Sequence, residues 1–133
     1  MATYVKTAVV RAPVDEVWSA VADVGNVPRL TSMVETSRME GDTRYCTFAG
    51  GGELRETILS VDHGLRRMAY RVHSSPFPIE EHAASMVVAP EGEGSRVTWT
   101  TDLTPDTALP VFAQAADAMF ADLVSRFGAD AAR

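Results

Sequence analysis

Lysine is almost missing from this chain: Lys6 is the only one among 133 residues, and the remaining basic residues are arginines scattered along the sequence. The formal net charge is −6 at pH 7. Nucleic acid binding needs a basic face that competes for phosphates, and none is present, so that class of partner is excluded. Schiff-base chemistry is left with a single amine. Cysteine is equally scarce. Cys46 has no second thiol to pair with, which rules out an internal disulfide and accords with a reducing compartment. No apolar run reaches membrane-spanning length, and Met1 to Lys6 lacks the charged head and apolar stretch of a secretory signal. No membrane insertion is therefore expected, and the simplest address is cytosolic.

What is present has the balance of a globular protein, with 46% hydrophobic and 23% charged residues. One domain over residues 1–133 is expected, as a monomer or a homodimer. Thr3 to Arg11, rich in Val and Thr, reads as a strand. Pro13 stops it and opens a short amphipathic helix: Asp15 and Glu16 suit the positive end of the helix dipole, and Val14, Val17, Trp18 and Val21 share a face. Gly25 and Pro28 break that helix and leave room for a second short one around Val27 to Thr31. From Met33 to Asp102, turn chemistry recurs at Gly41-Asp42, Gly50-Gly51-Gly52, His63-Gly64, Pro76-Phe77-Pro78 and Glu91 to Gly94. The β-rich runs between these turns predict six consecutive antiparallel strands. After Thr104-Pro105-Asp106, Phe112, Ala115, Ala116, Met119, Phe120, Leu123 and Phe127 follow helical spacing, which predicts one long helix with Pro110 near its beginning. The class is α+β.

Side chains alternate across a strand, so polar positions identify the outer face. Arg71 and His73 face out, which turns Met68, Tyr70 and Val72 inward. Ala84, Met86 and Val88 carry His82 inward with them, and Trp99 faces in with Val97, Thr101 and Leu103. Arg55 and Thr57 look outward, so Glu56 is aimed at the interior between Leu54 and Ile58. Folding the hairpins about Gly51 and Gly64 sets Cys46 roughly across from Glu56, and Glu56 across from Val72 with Tyr70 on the diagonal. A turn near Phe77 sets His82 across from Val72. Glu56, Tyr70 and His82 are thus expected on one inner patch. Arg44 lies two residues from Cys46 on the same face, and Phe112, Ala115 and Met119 form the roof.

The order of elements, together with Ala12-Pro13, Val17-Trp18, Asp23, Pro28-Arg29, Arg44 to Phe48 running into Gly51 to Leu54 and Glu56, Tyr70, Pro76 with Pro78, and Ser95 to Trp99, resembles the START-like superfamily. That superfamily includes the birch-pollen allergen and the abscisic acid receptors, and the small bacterial polyketide cyclase/dehydrase-like group is most similar. The resemblance covers nearly the whole chain. It implies a helix-grip fold, a seven-stranded curved antiparallel sheet around a long C-terminal helix, with two short helices between strands 1 and 2. It also implies an internal cavity for a small hydrophobic, polyketide-like or polycyclic molecule. Arg44, Cys46, Phe48, Val72, Phe77, Ala84, Met86, Trp99, Phe112 and Met119 would line it, and the Gly50 to Gly52 and Ser75 to Phe77 loops would frame its entrance. Leu30 departs from the pattern, standing where many relatives carry tryptophan.

A carboxylate in an apolar cavity has its charged form disfavoured by desolvation unless Arg44 compensates. Glu56 beside Tyr70 and His82 is equipment for moving protons at a ketone, as aldol cyclisation and dehydration require. The competing reading is a structural network in which Glu56 pairs with Arg44 or caps the Tyr70 hydroxyl. Cys46 lacks a Cys-His signature and reads as a small hydrophobe. His63, His73 and His82 fall on a turn, an outer face and an inner face, so no metal-ligand spacing emerges, and Gly50 to Gly52 lacks the Lys-Ser/Thr of a phosphate loop. No cofactor is implied. Three function classes remain: a cavity enzyme for cyclisation or dehydration using Glu56, Tyr70 and His82, a non-enzymatic carrier or sensor of a hydrophobic ligand, and a protein-binding domain.

Overall fold

Seven antiparallel strands hydrogen-bond in the order β1-β7-β6-β5-β4-β3-β2 in the computed structural model, which describes residues 1–129. They are β1 (Ala2–Val10), β2 (Val34–Glu40), β3 (Thr43–Phe48), β4 (Glu53–Asp62), β5 (Arg67–Ser74), β6 (Glu81–Glu91) and β7 (Gly94–Thr104). Strands β2 to β7 follow one another by hairpins, and β1 closes the far edge against β7. Two helices and two short 3-10 turns complete the chain: α1 (Val14–Ala22), a turn at Val27–Arg29, another at Asp106–Ala108, and α2 (Leu109–Arg126). This is the expected helix-grip arrangement.

The local chemistry explains each junction. Pro13 caps α1, with Asp15 and Glu16 in its first turn and Val17, Trp18, Ala20 and Val21 buried. Proline again stands at the start of α2, where its missing N–H costs nothing. That helix buries Phe112, Ala116, Phe120 and Leu123, each large side chain gaining about 1.5–3 kcal/mol over exposure. Gly94 opens β7 where a Cβ would lie 2.2 Å from the Val10 carbonyl oxygen, so only glycine allows the end of β1 to approach this closely.

Helix α2 is fastened to the sheet by polar side chains. The Tyr4 hydroxyl donates to Asp117 at 2.6 Å, and Lys6 lies 3.1 Å from the same carboxylate. Asp122 accepts from Thr31 Oγ1, Ser32 N and Ser32 Oγ, while Arg126 donates to the Pro28 carbonyl. These bonds hold the segment after the Val27–Arg29 turn against the helix, and nothing in the sequence pattern had signalled them.

One register differs from expectation. Arg44, not Cys46, lies across from Glu56, and Cys46 faces Leu54. The turn is centred one residue earlier than supposed, because Phe48 N–H donates to Gly52 O and Gly51 N–H to Phe48 O. Glu56 does pair with Val72. The β5–β6 ladder runs to Tyr70 and Ala84, which sets Val72 level with His82. There the His82 side chain replaces the ladder, its Nδ1 accepting from Val72 N–H at 3.1 Å.

Candidate functional site

Strand parity turns Glu56 into the protein, where it is 3% exposed. Its carboxylate meets the side chain directly across the β3–β4 pair: Arg44 Nε donates to Glu56 Oε1 at 2.7 Å. Arg44 is equally buried, and its Nη1 donates to the Val24 carbonyl at 3.1 Å. Burial pulls the Arg44 pKa down, but the adjacent Glu56 carboxylate outweighs it and leaves the guanidinium above its ordinary value, fully charged. The guanidinium carbon also stands 5.2 Å from the centre of the Tyr70 ring, within range of a cation–π contact. Only Oε1 of Glu56 is engaged; Oε2 makes no hydrogen bond among the described residues.

Around this pair lies a cavity divided into two lobes. The first, about 90 Å³, is walled by Arg44, Cys46, Glu56, Met68, Tyr70, Met86 and Trp99 from the sheet. Met119, Phe120 and Leu123 close it from α2, and Leu30, Thr31 and Val34 from the loop side. The second, about 50 Å³, is bordered by Phe48, Val72, Phe77, His82 and Phe112 and shares Glu56, Tyr70, Trp99 and Met119 with the first. Outside them an open groove of about 340 Å³ runs between the Phe48 to Gly51 loop, Pro76, Phe77 and the α2 residues Ala115 and Met119. The Gly50 to Gly52 and Ser75 to Phe77 loops thus meet at one end. A Cβ on Gly52 would come 3.0 Å from Pro76 Cγ, and the Phe48 and Phe77 rings pack edge to face at 6.2 Å.

Glu56, Tyr70 and His82 come together, since all three border the second lobe. The Tyr70 hydroxyl accepts from Trp99 Nε1–H at 3.0 Å, and burial raises its pKa above that of an ordinary phenol. His82 is pushed down to about 4 by burial and by Arg71, so its ring is neutral near pH 7. Cys46 Sγ lies 3.9 Å from Glu56 Oε1, and burial beside that carboxylate pushes its thiol up to about 12. A protonated thiol is no nucleophile. Among the residues expected to line the cavity, Ala84 borders neither lobe. It stands on β6 between Tyr70 of β5 and Thr101 of β7, and its methyl is too short to reach past the larger side chains beside it. Leu30, Val34, Leu123 and Ile79 are wall residues that the expected lining omitted. Trp18 faces away from the cavity and donates to His63 Nδ1 at 3.1 Å.

Among the described residues no cluster of three or more His, Cys, Asp or Glu could hold a metal ion, and no helix is long and apolar enough to cross a membrane. No functionally curated protein matches the chain. Solved structures do. A protein from Thermobifida fusca shares 29% identity over 96% of this chain and 93% of its own, with a TM-score of 0.80. The Zhui aromatase/cyclase of a Streptomyces species superposes with a TM-score of 0.77 at 18% identity, over 95% and 90% of the two chains. A START superfamily protein from Mycobacterium smegmatis gives 0.74 at 13% identity, over 94% and 96%. The likenesses at 18% and 13% identity carry the fold alone. A family model described as polyketide cyclase / dehydrase and lipid transport matches residues 1–132. The chain therefore belongs to the polyketide cyclase/dehydrase and lipid transport family, on a START-like fold.

Proposed function

We propose that this protein binds a small hydrophobic, polyketide-like molecule in the divided cavity and uses Glu56 to move protons on it during cyclisation or dehydration. The observation that carries the reading is the buried Arg44–Glu56 pair with Oε2 making no hydrogen bond among the described residues, Glu56 bordering both lobes. Packing does not require such a pair, because apolar side chains of similar volume are as stable or more so. What the pair provides is a carboxylate held against a guanidinium in apolar surroundings and open on one side. Such a group can take the proton from a carbon next to a ketone. The C–H electrons move into the enolate, whose carbon attacks a second ketone of the same molecule, and the proton passes from Glu56 to the new alkoxide.

Volume sets a condition on this. A cavity of about 150 Å³ takes benzene, and the lobes hold about 90 and 50 Å³. A polycyclic ligand therefore enters only if the lobes join the outer groove. Met119 borders all three spaces, and Phe48 and Phe77 stand between groove and inner lobe. Displacing Met119 and Phe77 would open a continuous channel.

The test is a thermal-shift screen of polyketide intermediates combined with product analysis, on wild type and Glu56→Gln. Binding by both with conversion by wild type alone is expected. Equal conversion would remove Glu56 from the chemistry. A stabilised wild type that yields no product, with a linkage gain of about 2.7 kcal/mol at a hundredfold excess over Kd, would make the protein a carrier or sensor. Protein binding without any small-molecule shift would point to an interaction domain.

A further inference from the structure

Two buried polar groups on the wall of the second lobe already accept a hydrogen bond each. Trp99 Nε1–H fills a lone pair of the Tyr70 hydroxyl, and Val72 N–H fills the lone pair of His82 Nδ1. Tyr70 is left with its own O–H to donate, and neutral His82 carries its proton on Nε2. Tyr70 makes no hydrogen bond to Glu56, and His82 Nε2 makes none to another side chain. Tyr70 is 7% and His82 3% exposed, so both side chains are held away from bulk solvent. Buried donors left unmade are costly, and native proteins rarely leave two together.

Both residues border the same lobe of about 50 Å³, whose other walls include the apolar Phe77, Ile79 and Phe112. A water molecule's share of liquid is about 30 Å³, so the lobe has room for one polar group and little else. We infer that this lobe is the seat of a single ligand oxygen of the acceptor kind, the carbonyl of a hydrophobic ketone, held by Tyr70 O–H and His82 Nε2–H. The inference rests on the cavity reading above and narrows it. It selects ketones over hydrocarbons, and over ammonium groups that would face two donors. It also changes the role expected for His82. With Nδ1 occupied, the imidazole serves as a neutral donor to the oxygen where enolisation places negative charge. Glu56 is left as the base.

The test uses acetophenone and ethylbenzene, a ketone and a hydrocarbon of nearly equal size, so that both make the same demand on space. Wild type should bind acetophenone at least about tenfold more tightly. Tyr70→Phe should remove most of that preference. The carbonyl stretch of carbon-13-labelled acetophenone should lie lower in wild type than in Tyr70→Phe, and His82→Met should move it the same way. Equal binding of the two molecules by wild type, or a carbonyl frequency unmoved in both variants, overturns the oxygen site and leaves the hydrophobic cavity standing. If neither molecule binds, the cavity reading falls and the oxygen site with it.

Discussion

Removing Glu56 alone should harm this protein more than removing Glu56 and Arg44 together. The two side chains are 4% and 6% exposed and meet at 2.7 Å. Charges about 4 Å apart at an effective dielectric near 20 attract by about 4 kcal/mol, most of which offsets the cost of taking both ions out of water. Glu56→Leu leaves a guanidinium that cannot shed its proton, buried and unpaired, and should cost about 3–5 kcal/mol. Arg44→Met should cost less, about 2–4 kcal/mol, because an orphaned carboxylate can neutralise itself by taking up a proton. The double variant has neither charge and should lie within about 1 kcal/mol of wild type, or above it. The assay is urea unfolding of all four proteins with comparison of m-values, so that the coupling energy follows from the cycle. A coupling of about 3 kcal/mol or more is expected. Single variants costing under about 1 kcal/mol each, with an additive double, would mean that the pair behaves as a solvated surface bridge. The double variant should also fold yet convert no substrate, which separates the role of the pair in chemistry from its role in stability.

His82 should give the protein a pH-dependent stability on the acid side. Its folded pKa of about 4 lies below the unfolded value of 6.5, so between those values the unfolded chain binds a proton that the folded one refuses. Stability should therefore fall by about 3 kcal/mol as pH drops through that window and should stay level in this component below it. His82→Gln, which keeps an acceptor for Val72 N–H, should flatten the slope in urea titrations; an unchanged slope would assign it to other groups. Thr101 has a fully buried Oγ1 with no hydrogen-bond partner, so Thr101→Val should raise stability by about 1 kcal/mol, and a loss on thermal unfolding would show that the hydroxyl is satisfied. Met119→Ala should join the lobes to the outer groove at a cost of about 2 kcal/mol, and bicyclic ketones such as 1-tetralone should bind it more tightly than wild type by calorimetry. No gain in affinity would mean that Met119 is not the barrier.

Much of this geometry is legible in the chain because strands enforce a period of two. Outward Arg71 and His73 force Tyr70 and Val72 inward, and outward Arg55 and Thr57 force Glu56 inward, whatever the register. Register itself is less legible. Three consecutive glycines, Gly50 to Gly52, offer several turn centres, and only the bonds between Phe48, Gly51 and Gly52 choose among them. That choice brought Arg44 rather than Cys46 across from Glu56, turning a weak thiol contact into an ion pair. Contacts spanning two strands were beyond reach as well. Tyr70 and Trp99 stand on either side of β6, where Ala84 is small enough to leave room for their hydrogen bond. Pairing rules act between neighbouring strands and do not report bonds that pass over one. The Asp122 bonds to Thr31 and Ser32 join residues about ninety positions apart, with no periodic pattern to announce them.

How the cavity opens follows from which of its walls is fastened. Helix α2 is held to β1 through Asp117 and to the Thr31–Ser32 segment through Asp122, by charge-assisted hydrogen bonds of 2.6 to 3.0 Å. Such bonds contribute about 1.5–3 kcal/mol apiece, and a shift of the helix would break several together. The facing loops are held differently. Phe77 meets Phe48 and, on α2, Phe112 in edge-to-face contacts, of about 0.5–1.5 kcal/mol each, and Gly51 and Gly52 occupy positive φ of 95° and 104°, where turns form without side-chain restraint. The lower-cost motion is therefore a swing of the Phe77 ring and the glycine loop away from a stationary helix. Met119 would then rotate into the space that Phe77 leaves. On this argument a cross-link between the two loops should slow ligand entry, while one between α2 and β1 should leave it unchanged.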